Sequence, residues 1–109
     1  MLKNILISTF IVLISTQSFA KIETYKIISG GGNDDMQLTL QNQNSKKYTA
    51  YCNTKCGDWF EPDDEISTLK KQYIGKKVQA EIKFEQNKGR VAGPSDDEKF
   101  YFIKYLKLL

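Results

Sequence analysis

The sequence predicts a small, mainly β domain with one short helix. Polar and apolar residues alternate with a period of two in several segments, which is typical of strands with one buried face. Clusters of Gly, Asn, Asp and Pro separate those segments, as turns do. The chain has 109 residues, which is enough for one core and too few for a hinged two-domain enzyme.

The first 20 residues read as a secretory signal peptide. Lys3 provides a positive start, residues 5–14 are mostly apolar, and Ser18 and Ala20 are the small residues that a signal peptidase requires. The apolar run is shorter than the roughly 20 residues that cross a bilayer. We therefore expect cleavage after Ala20 and no stable membrane insertion afterwards. The prediction is a soluble periplasmic or secreted domain over residues 21–109, with 15 basic and 13 acidic residues.

The two cysteines, Cys52 and Cys56, are four positions apart. In an oxidising compartment a close, even pair predicts a disulfide, here one that closes a short loop. A loop of this size contributes only about 2 kcal/mol in the chain-entropy model. A zinc site would need two more ligands, and a thioredoxin-like redox pair would have two intervening residues instead of three. We expect a structural disulfide and no metal or cofactor.

Three strands are predicted in the first half of the mature chain. Residues 21–29 are rich in β-branched and aromatic residues, and the glycine-rich residues 30–35 then form a turn. Residues 36–41 and residues 47–52 each alternate apolar with polar side chains. The turn-like residues 42–45 between them favour a hairpin.

A helix is predicted over residues 62–75. Pro62 followed by three acidic residues is typical of a helix start. Ile66, Leu69 and Tyr73 recur at spacings of three and four, and Gly75 is placed to end the helix. The apolar stripe is narrow, so we expect this helix to cover one opening of a sheet.

Two further strands complete the prediction. Residues 77–84 alternate without a fault, residues 86–89 turn the chain, and residues 93–97 form a loop, with a short arm possible at 90–92. Residues 99–109 carry apolar and aromatic side chains on both parities. We expect this last strand to bend or to be covered on both faces.

The order of three strands, a helix and two strands resembles the OB-fold, a five-stranded Greek-key barrel. Residues 73–78, Tyr-Ile-Gly-Lys-Lys-Val, are similar to the passage from helix to fourth strand in small OB-like domains. The chain thus resembles a small exported OB-fold-like domain, and the resemblance implies a barrel with the helix at one end. A meander sheet packed on one helix is the alternative fold.

Several chemistries are disfavoured by composition and spacing. The chain has no His, which removes the commonest general base and metal ligand. The acidic residues 58–65 do not match the spacing of a calcium loop, and the triglycine at 30–32 lacks the Lys and Ser or Thr of a phosphate loop. A domain of 89 residues offers little cleft in which to tune a pair of catalytic carboxyls. We expect no catalytic residues.

The remaining candidates are binding residues. Trp59 and Phe60 follow the disulfide and either form an exposed aromatic knob or fold inward to close the barrel. Tyr51, Tyr101 and Arg90 belong to a set of aromatic and basic residues that could line one face. Such a face suits single-stranded nucleic acid, but the low net charge and the export signal argue against that partner.

The function that we expect is an exported, non-catalytic binding protein for a protein or an envelope polymer, with an inhibitor or immunity-type role as one form. The alternatives are a cell-wall oligosaccharide or single-stranded nucleic-acid binder on the barrel face, and a small enzyme with an unrecognised site.

Overall fold

The computed structural model describes residues 21–109, with the backbone alone at Asp63, so the predicted signal peptide lies outside the described residues. Strand accounts for 56% of this part of the chain and helix for 8%. The strands are β1 (Ile22–Gly32), β2 (Met36–Gln41), β3 (Lys47–Tyr51), β4 (Phe60–Asp63), β5 (Ile66–Leu69), β6 (Lys77–Gln86) and β7 (Lys99–Leu108). Short 3-10 helices occupy Asn53–Cys56 and Lys71–Tyr73.

Five of the strands form a closed barrel, which confirms the predicted fold class. β1 pairs antiparallel with β2 along its second half and with β6 along its first half. β2 pairs with β3, and β6 pairs with β7. The barrel closes where β3 and β7 run parallel, at the single register pair Tyr51 and Phe102. This connectivity is that of the Greek-key barrel which the resemblance implied.

The barrel interior holds one apolar core. Alternate residues of β1, β2, β3 and β6 point inward, as the period-two pattern predicted. The buried residues that form this core are Tyr25, Ile27, Leu38, Leu40, Ala50, Cys52, Cys56, Leu69, Val78, Ala80 and Ile103.

β1 continues three residues beyond the predicted strand, through the glycines that the sequence assigned to a turn. The register with β2 shifts between Ile27 and Ser29, and this bulge turns Gly30 towards the interior. A Cβ atom at Gly30 would lie 2.9 Å from Leu38 Cδ2 and 3.2 Å from Phe60 Cζ. Glycine is required here by close packing, and the turn itself is limited to residues 33–35.

The predicted helix over residues 62–75 is wrong. Residues 60–69 form the hairpin β4–β5, and the only helical residues in this stretch are Lys71–Tyr73. Asp64, with a φ of 54°, takes the left-handed conformation at the two-residue turn. Ser67 and Thr68 pair with Gly32 and Gly31, so the hairpin satisfies backbone groups of β1 that a helix would leave unpaired.

β7 has two apolar faces because the strand changes face along its length. Its register with β6 shifts between Glu81 and Ile82, which leaves Lys104 as the extra residue of a bulge. Ile103 then faces the core, and the neighbouring Phe102 is buried on the outer side. The expectation that this strand bends or is covered on both faces is confirmed.

The predicted disulfide between Cys52 and Cys56 is present, with the two sulfur atoms 2.03 Å apart. Both cysteines are buried in the core. The disulfide loop and the hairpin β4–β5 therefore close the end of the barrel at which β3 finishes.

Candidate binding face

The outer side of β2, β3 and the first half of β7 carries polar side chains beside aromatic ones. Thr39 of β2 and Thr49 of β3 lie opposite each other, and their hydroxyl oxygens are 2.9 Å apart. Tyr51, at the end of β3, contacts Phe100 and Phe102 of β7, with ring centroids 5.6 and 5.8 Å away. We call this surface the clasped face; it comprises Gln37, Thr39, Thr49, Tyr51, Phe100 and Phe102.

Two loops meet at one border of the clasped face. The backbone N–H of Ala92, in the loop 87–98, donates a hydrogen bond to Asp35 Oδ2 in the turn 33–35 at 3.0 Å. These two residues are 57 positions apart. The contact fixes the long loop against the start of β2, so the two loops bound a concave surface.

Asn87 organises the long loop. Its side chain is fully buried, its Oδ1 accepts from the backbone N–H of Val91 at 2.6 Å, and its Nδ2 donates to the carbonyl of Val91 at 3.0 Å. The same Nδ2 also lies within hydrogen-bond distance of the carbonyls of Pro94 and Ser95. A single buried amide thus bonds to backbone groups at three positions of an irregular segment.

Arg90 covers Phe102 from the outer side. The guanidinium carbon lies 3.8 Å from the centroid of the Phe102 ring, which is cation–π distance. Arg90 also donates to the carbonyls of Gln86 and Asn87 and forms an ion pair with Glu85 at 3.2 Å. Because this planar guanidinium covers the ring and is held by bonds along its edge, it explains how an aromatic side chain is buried on the outside of a barrel.

Glu85 holds the two cations beside this ring. Lys104 Nζ donates to Glu85 Oε1 at 2.9 Å, on the same oxygen that Arg90 approaches. The hydrogen bond from Lys104, together with Arg90, lowers the pKa of Glu85 below its usual value against an opposing effect of burial. The carboxylate therefore stays charged at neutral pH.

Tyr51 separates two shallow depressions of opposite charge. One, of about 320 Å³, includes Asp34, Asp35 and Gln37; we call it the acidic depression. The other, of about 350 Å³, includes Lys55, Arg90 and Lys104; we call it the basic depression. Burial raises the pKa of the Tyr51 phenol, and the charges of Asp35 and Glu98 raise it further. The phenol is thus neutral and available to donate a hydrogen bond near neutral pH.

The five predicted binding residues do not lie together. Tyr51 and Arg90 both contact Phe102 and line the basic depression, whereas Tyr101 of the same predicted set lies elsewhere. Trp59 and Phe60 fold inward: both pack against the core, and Trp59 stacks on Tyr73 with centroids 4.8 Å apart. Tyr101 contacts Tyr48 and Phe84, which are both outside the clasped face, and is itself partly exposed.

Sequence reasoning missed Asp35, Asn87 and Phe102 as parts of this site. Asp35 and Asn87 were read only as turn residues, which is what they are locally. Their long-range bonds depend on the meeting of two loops, and no local pattern predicts that. Phe102 had one signal, the apolar residues on both parities of the last strand.

Among the described side chains of residues 21–109, which exclude that of Asp63, no group of three His, Cys, Asp or Glu is arranged to hold a metal ion. The helices of the same part of the chain are all too short to span a bilayer. No family model matches the chain, and neither a curated protein nor a solved structure shows significant similarity to it.

Proposed function

We propose that residues 21–109 act as an exported, non-catalytic binding protein whose clasped face recognises a protein or a peptide-bearing envelope polymer. The observation that carries this proposal is the pair of oppositely charged depressions on either side of Tyr51. A partner that fits both must carry both charges close together, as a polypeptide does.

The charge pattern of the face argues against nucleic acid as the partner. A single strand presents phosphates along its whole length and would have to pass Asp34 and Asp35, which repel it. The basic depression alone is also partly neutralised, because Glu85 pairs with both Arg90 and Lys104. Complementary charge of both signs favours a mixed-charge partner instead.

The direct test measures binding by the mature chain and by variants of each part of the face. We expect Tyr51→Ala, Asp34→Lys and Lys55→Glu each to reduce capture of a specific envelope protein by about tenfold or more, because each removes an anchor or a charge at the centre of the interface. Tyr105→Ala and Asp64→Lys are matched controls, since both residues are exposed away from this face. Equal capture by all variants would contradict the proposal.

Opposite responses of the two charge variants distinguish the nucleic-acid alternative. Binding to a single-stranded oligonucleotide, measured by fluorescence anisotropy, would be weakened by Lys55→Glu and strengthened by Asp34→Lys. A protein partner of mixed charge would be weakened by both. The sign of the Asp34→Lys effect therefore separates the two classes.

A cell-wall oligosaccharide is the second candidate, favoured by the row of amide and hydroxyl side chains beside Tyr51. Gln37, Thr39 and Thr49 offer donors and acceptors next to an aromatic ring, a combination that suits sugars. Cosedimentation with purified peptidoglycan, lost in Tyr51→Ala and indifferent to Lys55→Glu, would support this candidate over a protein.

A further inference from the structure

β6 extends beyond the strand that pairs with it on one side. Its register with β1 ends at the pair of Ile22 and Glu81, whereas its register with β7 continues to the pair of Gln86 and Lys99. Among residues 21–109, no strand therefore pairs with the β1-side edge of residues 82–86.

The backbone of Phe84 lies at the centre of this open edge. Ile27 N donates to Lys76 O on the β1 side, and Leu109 N donates to Lys77 O on the β7 side. Backbone groups of a strand alternate between its two edges, so even-numbered residues of β6 direct theirs towards β1. Phe84 thus directs both its N–H and its C=O to the open edge, and the nearby carbonyl of Gln86 is already bonded to Arg90 Nη2.

The side chain beside this edge is apolar and exposed. Phe84 is 56% exposed although its ring contacts Tyr101, with centroids 4.9 Å apart. Tyr101 is itself 36% exposed. An unpaired edge next to exposed aromatic side chains is a template for strand addition.

The residues along the edge are complementary to themselves. They read Ile-Lys-Phe-Glu-Gln over positions 82–86. If two copies pair antiparallel with Phe84 opposite Phe84, Lys83 of each copy faces Glu85 of the other. A shift of two residues puts Lys83 opposite Lys83 or Glu85 opposite Glu85, and a shift of one puts inward residues opposite outward ones. Of these three registers, only the one with Phe84 opposite Phe84 avoids both the like-charge pairs and the mismatch of inward with outward residues.

We propose that the mature chain forms a two-fold dimer by antiparallel pairing of the β6 edges of two copies, centred on Phe84. The two Phe84 rings meet on one face of the joined sheet, flanked by Tyr101 of each copy, and the two pairs of Lys83 and Glu85 meet on the other. The pairing is isologous, so it closes at two copies. It is centred outside the six residues of the clasped face, although its Glu85 also pairs with Arg90 and Lys104 beside that face. It does not depend on recognition at the clasped face, but it rests on the export part of the proposed function, because it requires removal of residues 1–20.

The oligomeric state of the chain beginning at Lys21 tests this proposal. The seven described strands, including the five of the barrel, lie within residues 21–109, so the chain that begins at Lys21 contains the five-stranded barrel. Sedimentation velocity from about 10 µM to about 1 mM covers the range in which an interface of this small size associates. We expect the dimer fraction to rise over that range, and protection of the Phe84 amide from hydrogen exchange to rise with it. A monomer at every concentration would overturn the proposal.

Charge variants test the register. Lys83→Glu puts two like-charge pairs in the dimer and should raise its Kd by about tenfold. An equimolar mixture of Lys83→Glu and Glu85→Lys should associate more tightly than either variant alone, because opposite charges face each other only in the mixed dimer. Lys77→Glu, the same change earlier in the strand, should leave the Kd unchanged.

A further variant keeps the test independent of folding, because Glu85→Lys also loses bonds to Lys104 and Arg90. Phe84→Asp changes a side chain that is mostly exposed, and it should abolish the dimer without unfolding the barrel. A dimer that persists in both Lys83→Glu and Phe84→Asp would form through another surface and would overturn the proposal.

Discussion

At the scale of single residues, Gly30 shows how one missing side chain permits the core to close. A Cβ atom there would lie 3.0 Å from the carbonyl oxygen of Gln37, in addition to its close approach to Leu38 and Phe60. The neighbouring Gly31 differs, because a Cβ would meet nothing nearer than Ser67 O at 3.4 Å. The two glycines therefore have different physical reasons to be present.

We expect Gly30→Ala to lower the free energy of unfolding by about 1 to 3 kcal/mol, the range for overpacking a filled core. Gly31→Ala is the matched control and should change it by less than about 1 kcal/mol, because the site has room and alanine restricts the unfolded chain. Urea denaturation of both variants measures the difference. Equal effects would contradict the packing argument for Gly30.

Tyr25 predicts how stability depends on alkaline pH. Burial raises the pKa of Tyr25 from 10.0 to about 12, with further contributions from Glu23 and Tyr48. The unfolded chain therefore loses this proton before the folded chain does. Stability from this group is complete below pH 10 and is lost as the pH rises from 10 towards 12.

Tyr25→Phe should remove part of the alkaline loss of stability, because phenylalanine has no proton to release. The measurement is the free energy of unfolding at pH 9 and at pH 11 for both proteins. Tyr105→Phe, on an exposed side chain, should leave the loss in place. An identical pH profile for wild type and Tyr25→Phe would contradict this assignment.

At the scale of elements, the strands with one buried face were predictable and the segment after the disulfide was not. The alternation in residues 36–41, 47–51 and 77–84 follows directly from inward and outward side chains. The spacing of Ile66, Leu69 and Tyr73 fitted a helix, but only three residues carried that signal. Residues 66–69 form a strand because they pair with Gly31 and Gly32 of β1. A contact so distant in sequence leaves no local pattern.

The candidate site also has a part that the sequence predicts and a part that it does not. Tyr51 and Arg90 were predictable as residue types suited to binding, and their strand or loop positions were nearly correct. That they meet depends on the bulge at Lys104 and on the fold of the loop 87–98. Trp59 and Phe60 looked equally suitable for binding in the sequence. In the structure they pack against the core, because a small barrel has few other large apolar side chains with which to close its end.

The loop 87–98 gives a prediction at this scale. Asn87→Ala removes the buried amide that bonds to Val91, Pro94 and Ser95 and leaves backbone groups without partners. We expect a loss of about 2 kcal/mol in the free energy of unfolding, with faster hydrogen exchange at residue 91.

Asn42→Ala is the matched control for Asn87→Ala. Asn42 Oδ1 also accepts two backbone N–H groups, from Asn44 and Lys46, but it does so in a solvent-accessible turn. Water can replace those bonds, so the loss should stay below about 1 kcal/mol. A larger effect for Asn42→Ala than for Asn87→Ala would show that burial is not what makes Asn87 important.

At the scale of the whole molecule, closure of the barrel depends on one narrow seam. β3 and β7 share a single register pair, whereas β6 and β7 are paired along most of their length. The seam is strengthened by side chains: Tyr51 packs on Phe102, and Arg90 covers Phe102 from outside. The residues of the clasped face thus also hold the barrel closed, so binding there would stabilise the closed form.

We expect Arg90→Ala to open this seam before the rest of the barrel. The change removes the contact with Phe102, two bonds to backbone carbonyls and the ion pair with Glu85, and it should lower the free energy of unfolding by about 1 to 3 kcal/mol. Arg90→Lys should rescue little, because an ammonium group cannot stack and bond in the same geometry. Lys88→Ala, at an exposed lysine in the same loop, is the control.

Hydrogen exchange locates the effect of Arg90→Ala: amides of β3 and the first half of β7 should exchange faster, while those between β1 and β6 keep their protection. Uniform acceleration across all five strands would mean that the seam has no separate stability and that the barrel opens only as a unit.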